Sequence, residues 1–136
     1  SLFTPVFEQK ERTPASRTTN LVRQLPALQQ PFHLHAVLHQ TYATSAGIAL
    51  NGQNLVDCDM NGNTINGQFY SQQDPTRMAV EVDIYVDRTS VEVFIDGGLY
   101  SYSMSRDGRD EQKGLEFWGG EAFVTDLRID TVRSIW

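Results

Sequence analysis

The chain has 136 residues, a formal net charge of −6, 40% hydrophobic and 21% charged residues, and one cysteine. That composition suits a single soluble globular domain and excludes a disordered chain; with no basic cluster to neutralise phosphates, it also excludes nucleic acid as a partner. A domain of this length buries roughly 70% of the surface its unfolded form exposes, so it needs neither a metal nor a disulfide, and no apolar run approaches membrane-spanning length.

The chain opens at Ser1 without an initiating Met, as expected of a mature form or a piece of something longer. Residues 1–20 read as a linker or surface arm, rich in Thr, Ser and Pro. Within it, Leu2, Phe3, Val6 and Phe7 are apolar enough to pack on this domain or a neighbour. Residues 21–136 read as one domain. Leu21 to Leu28 admits a short strand or a brief helix. Phe32 to His39 alternates, with Leu34, Ala36 and Leu38 on one face and His33, His35, Val37 and His39 on the other. Imidazoles at i and i+2 can converge on zinc. No cysteine follows and no carboxylate stands at a diagnostic spacing, so the expectation is no metal and an exposed polar face on an edge strand.

Gly47 to Leu50 and Asn54 to Cys58 read as strands joined at Asn51-Gly52, where both residue types tolerate positive φ. Asp57-Cys58-Asp59-Met60-Asn61-Gly62-Asn63 matches the first half of a calcium loop, but Gln68 at the twelfth position cannot supply a bidentate carboxylate. A turn is the better reading. Gln68 to Tyr70 is a further short strand, and residues 71–77 form a polar connection.

The clearest alternation runs from Val80 to Gly98. Val80, Val82, Ile84 and Val86 share one face, Asp87 to Ser90 turns the chain, and Val91, Val93 and Ile95 resume the row. Asp96-Gly97-Gly98 makes a second turn, and Leu99 to Met104 begins a third strand. Two consecutive apolar rows demand a covering layer, most simply a second sheet. Residues 105–113 read as a charged loop. Residues 114–117 and 123–129 alternate again, with Leu127 and Ile129 on a core face. With no convincing helical period anywhere, the fold expected is all-β: an antiparallel two-sheet β-sandwich of jelly-roll or lectin-like type.

Ile84-Tyr85-Val86-Asp87-Arg88-Thr89-Ser90-Val91-Glu92-Val93-Phe94 resembles a hairpin of the C-terminal β-sandwich of glycoside hydrolase family 32, the invertases, inulinases and levanases. It departs from that pattern in Thr89, where the family has Ser. Gly114 to Gly120 is similar to the family's penultimate strand and Gly-rich turn, and Ser134-Ile135-Trp136 to its closing strand. The resemblance is specific over residues 80–136 and looser over 32–77.

In that family catalysis belongs to an N-terminal five-bladed propeller carrying Asn-Asp-Pro-Asn, Arg-Asp-Pro and Glu-Cys segments. Here Asp74-Pro75 follows Gln73, Arg106-Asp107 precedes Gly108, and Cys58 follows Asp57. The resemblance therefore implies an accessory domain with no catalytic residues and no cofactor, inactive alone, whose partner is the propeller of the same parent protein. It also implies a secreted or periplasmic setting. On that reading Tyr85, Phe94, Phe117 and Trp118 are buried in the core or at the domain contact, and an apolar patch is exposed where the partner would sit. A lectin-like, carbohydrate-binding module is the alternative, with a fructan oligosaccharide stacked on Tyr85, Tyr100, Tyr102 or Trp118. Self-association through an unpaired sheet edge is a third.

Overall fold

Alternation becomes structure most plainly at the centre of the chain. In the computed structural model, which describes residues 3–10, 13–14, 31–39, 45–59, 64–70, 79–106, 114–119 and 122–132, the strand Ala79–Val86 buries Val80, Val82, Ile84 and Val86 while Tyr85 stays in solvent. Twelve strands are described: β1 (Phe3–Gln9), β2 (Thr13–Pro14), β3 (Phe32–His39), β4 (Ser45–Leu50), β5 (Gln53–Asp59), β6 (Thr64–Ile65), β7 (Gln68–Phe69), β8 (Ala79–Val86), β9 (Ser90–Ile95), β10 (Tyr100–Ser105), β11 (Leu115–Gly119) and β12 (Phe123–Val132). They form a seven-stranded sheet in the order β1-β12-β3-β8-β9-β10, with β2 also on β12, and a five-stranded sheet in the order β11-β4-β5-β6-β7. Every pairing is antiparallel. No helix among the described residues is long and apolar enough to cross a membrane.

The two sheets share one core. Leu34, Leu38, Ile84, Val93, Ile95 and Ile129 from the larger sheet meet Ile48, Leu50, Val56, Cys58, Leu115 and Phe117 from the smaller. Burying a side chain of this size stabilises by roughly 1.5–3 kcal/mol, which is why a strand with a continuous apolar row cannot remain single-layered. Cys58 sits inside this core, where burial first and then Asp57 and Asp96 push its thiol up to about 12. It packs as a small apolar group.

Turn chemistry follows the residues. Asn51 and Gly52 both adopt positive φ, 50° and 85°. The Asn51 amide donates to the Gly114 carbonyl and its Oδ1 accepts from the Gly114 amide, both at 2.9 Å, so this hairpin also fixes where β11 starts. A second Asn-Gly turn at Asn66-Gly67 joins β6 to β7. Asn66 Oδ1 accepts from the Asp57 amide at 2.7 Å, so the Asp57 end of the calcium-like segment is held as strand. Residues 60–63 of that segment, like 21–28, 71–77, 107–113 and 133–136, fall outside the described residues. Gly47 answers to a close approach: a Cβ there would stand 2.0 Å from the Val56 carbonyl oxygen and 2.6 Å from the Trp118 ring.

Two expectations need correction. Residues 3–9 and 13–14, within the segment read as linker or arm, are strands on one side of β12. They carry Pro5 and Pro14, which fits the rim of a sheet, where a missing ladder donor costs least. The histidine strand β3 is no edge strand. It lies between β12 and β8, paired on both sides, because its apolar row is needed at the middle of the core.

Candidate functional site

Antiparallel register places two rows of side chains across the outer face of the larger sheet. In the first, Pro5, Asp130, His33, Tyr85 and Glu92 are successive cross-strand neighbours on β1, β12, β3, β8 and β9. In the second, Glu8, Arg128, His35, Asp83 and Phe94 follow the same strands. Each of these residues stands two positions from its neighbour in the other row, or three across the β1 bulge, so all share the face opposite the core. All of these residues but His35, together with the Gly97-Gly98 turn, line an open groove of about 920 Å³.

The floor of the groove is a connected polar network. His33 is 5% exposed and lies between two carboxylates, with Nε2 at 2.7 Å from Asp83 Oδ1 and Nδ1 at 3.3 Å from Asp130 Oδ2. His35 Nδ1 is 2.9 Å from the same Asp83 oxygen, and Arg128 Nε donates to Asp130 Oδ2 at 3.2 Å. Above it lies an aromatic row. Tyr85 stacks on the His33 ring with centroids 4.6 Å apart and planes 20° from parallel, and meets Phe94 in a T-shaped contact at 5.7 Å. Such contacts hold each ring in one orientation.

Burial acts to raise the Asp83 carboxyl, but its hydrogen bonds to His33 and His35, with their charges, outweigh burial and hold it below the ordinary carboxylate value. A carboxyl depressed on folding contributes stability above its unfolded pKa and loses it as pH falls through the folded value. The stability of the wild-type chain is therefore expected to fall, as pH drops below the ordinary carboxylate value of about 4, more steeply than that of Asp83→Asn. Urea midpoints across that range check it; parallel curves would refute it. Burial first, then the Asp83 charge, pushes the Tyr85 phenol up, so it stays a neutral hydroxyl.

The histidines do not converge as a zinc trio. His33 and His35 share Asp83, whereas His39 bonds Thr125 Oγ1 at 2.8 Å and stacks on Phe123. Among the described residues, the grouping that could hold a cation is His35, Glu81 and Asp83, whose ligand atoms lie within 4.8 Å of one another. Sequence spacing could not reveal it, because the carboxylates arrive from β8 by register.

Of the four aromatic residues proposed as sugar platforms, only Tyr85 lies in the groove. Tyr100 and Tyr102 point inward from β10 and tie the sheets together: Tyr102 donates to the Leu55 carbonyl at 2.5 Å and Tyr100 to Gln68 Oε1 at 2.8 Å. Trp118 lies over Gly47 on the smaller sheet, with its buried Nε1 unpartnered among the described residues. Of the four aromatics expected in the core or at a domain contact, Phe117 is in the core, whereas Tyr85 is 37% exposed and Phe94 half-buried in this chain. Asp83, Phe94, Arg128 and Asp130 carry the site and were not singled out as a group by the sequence; the polar face of β12 was the available signal.

No protein-family model matches the chain, and no curated protein matches it. Solved structures do. Exo-inulinase from Aspergillus awamori matches over 100% of this chain and 29% of its own, at 19% identity and a TM-score of 0.55. The chain shares a fold with one part of an inulinase. Sucrose-6-phosphate hydrolase from Lactobacillus gasseri matches over 97% of this chain and 29% of its own, at 15% identity and a TM-score of 0.54. This chain thus spans under a third of either hydrolase. A Caenorhabditis elegans galectin matches over 93% of both chains, at 10% identity and a TM-score of 0.50. The fold is an antiparallel, lectin-like β-sandwich.

Proposed function

We propose that this chain is the C-terminal β-sandwich of a family 32 fructan-hydrolysing enzyme, a non-catalytic domain that packs against and stabilises a five-bladed propeller. The observation that carries this reading is the coverage: 97–100% of the chain aligns with less than a third of each of two sugar hydrolases. The Ile84–Phe94 segment supports it, since the family-like residues fall on β8, its turn and β9, at the heart of the larger sheet. So does the exposure of Phe69 (73%) and Leu99 (58%). Both flank the place where Tyr70 bonds Asp96 and Tyr100 bonds Gln68, and the reading assigns them to the domain contact.

The test is to read the frame upstream of Ser1 and express its full product. A propeller with Asn-Asp-Pro-Asn, Arg-Asp-Pro and Glu-Cys is expected, with fructose released from inulin, levan or sucrose by the full product and none by the 136-residue chain. Removing this chain should lower the thermal midpoint of the propeller. An upstream frame without a propeller, or fructose release by this chain alone, overturns the reading.

A further inference from the structure

The outer face of the larger sheet carries an open groove lined by aromatic and charged side chains. We infer that the groove over β1, β12, β3, β8 and β9 binds a neutral oligosaccharide, laid across the strands on Tyr85 and Phe94. The choice of fructan as the probe below rests on the family proposed above; the groove itself does not.

Its dimensions suit a chain of linked sugar rings. Five strands at about 4.8 Å spacing give a track on the order of 19 Å, and about 920 Å³ lies at the upper end of the roughly 300–1,000 Å³ typical of ligand sites. Its chemistry is that of a polyol site. Sugars present apolar C–H faces to aromatic rings and hydroxyls to carboxylates and guanidinium groups. Tyr85 offers an exposed ring whose orientation is already set by His33 and Phe94, so little side-chain freedom is lost on binding. Along the track stand Glu92, Arg128 and Glu8, all exposed, beside the fixed carboxylates Asp83 and Asp130.

Charge narrows the class. Four carboxylates against one guanidinium and one imidazole disfavour a phosphorylated or acidic ligand. A basic peptide is disfavoured too, because the two inner carboxylates are engaged: Asp83 by His33 and His35, Asp130 by His33 and Arg128. What remains is a floor dense in fixed hydrogen-bonding groups whose inner carboxylates are already engaged, which recognises hydroxyls.

Isothermal titration of the 136-residue chain with inulin- and levan-derived oligosaccharides tests this, with malto- and cello-oligosaccharides and a tri-lysine peptide alongside. Saturable heat at millimolar sugar is expected, unchanged between roughly 50 and 500 mM salt because the ligand carries no charge. Tyr85→Ala should weaken binding about tenfold or more, and Arg128→Ala by several-fold. Phe69→Ser, at an exposed aromatic outside the groove, should leave it unchanged, and unaltered urea midpoints in Tyr85→Ala and Arg128→Ala confirm that the fold is intact. Tyr85-dependent binding of a neutral glycan other than fructan upholds the groove and counts against the fructan assignment. Absence of heat with every sugar, binding indifferent to Tyr85→Ala, or binding of the peptide in place of sugar overturns the inference.

Discussion

Phe117→Ala is expected to destabilise the chain by about 3–5 kcal/mol, the range for deleting a buried phenyl ring. Phe117 is 1% exposed and, with Phe32, heads the fully buried side chains by size. Its cross-strand partner is Ile48, and the strand it stands on, β11, pairs with β4 alone among the described strands. The void cannot close cheaply. β11 is held at one end by the Asn51–Gly114 hydrogen bonds and at the other by Gly119, where an added Cβ would stand 2.6 Å from Ala46. With a typical domain stability of about 5–15 kcal/mol, the loss corresponds to roughly 10–20 °C in thermal midpoint. Urea denaturation should show a lower midpoint with an unchanged slope, and Phe117→Leu should recover most of the loss. A cost below about 1 kcal/mol would mean that β11 does not close the core.

Asp96→Ala is expected to cost about 3–4 kcal/mol, while Asp96→Asn costs about 1. Asp96 adopts φ 50° at the start of the β9–β10 turn, where Asp and Asn are tolerated and Ala is strained. Its Oδ1 accepts from the Glu81 amide at 2.9 Å and its Oδ2 from the Tyr70 hydroxyl at 2.5 Å. Alanine removes both acceptors and adds backbone strain; asparagine keeps the conformation and one carbonyl oxygen. Denaturation midpoints separate the two variants, and faster hydrogen exchange at the Glu81 amide in Asp96→Ala identifies the lost bond. Equal costs for the two would show that the turn does not depend on these acceptors. Asp96, like Asp83 and Glu92, is an acidic residue of a sheet that could be mistaken for a catalytic group. Its partners make it a turn former.

The candidate site was legible only in fragments. The histidine face of β3 and the exposed phase of Tyr85 can be read from alternation, since side chains in a strand point to opposite faces with period two. Tyr100 and Tyr102 alternate just as well, yet alternation says which residues share a face and not which face is inside. Their strand sits at the rim of the larger sheet, where the inward face is half open and a phenol can reach across to β5 and β7. The partners of His33 lay further out of reach, because Asp83 is 50 positions away and Asp130 is 97.

Residue order alone therefore determined the fold class, the apolar rows of β3, β8 and β9, the Asn51-Gly52 and Asp96-Gly98 turns, and the family-like segment Ile84–Phe94. All of these depend on interactions between residues a few positions apart. Tertiary structure decided that β3 is central, that residues 3–9 complete the sheet, and that His33, Asp83, Tyr85, Phe94, Arg128 and Asp130 form one groove. Those facts depend on which strands pair and in what register. A shift of one residue in β3 against β8 and β12 would turn His33 and His35 to the other face, away from Asp83, Tyr85 and Asp130.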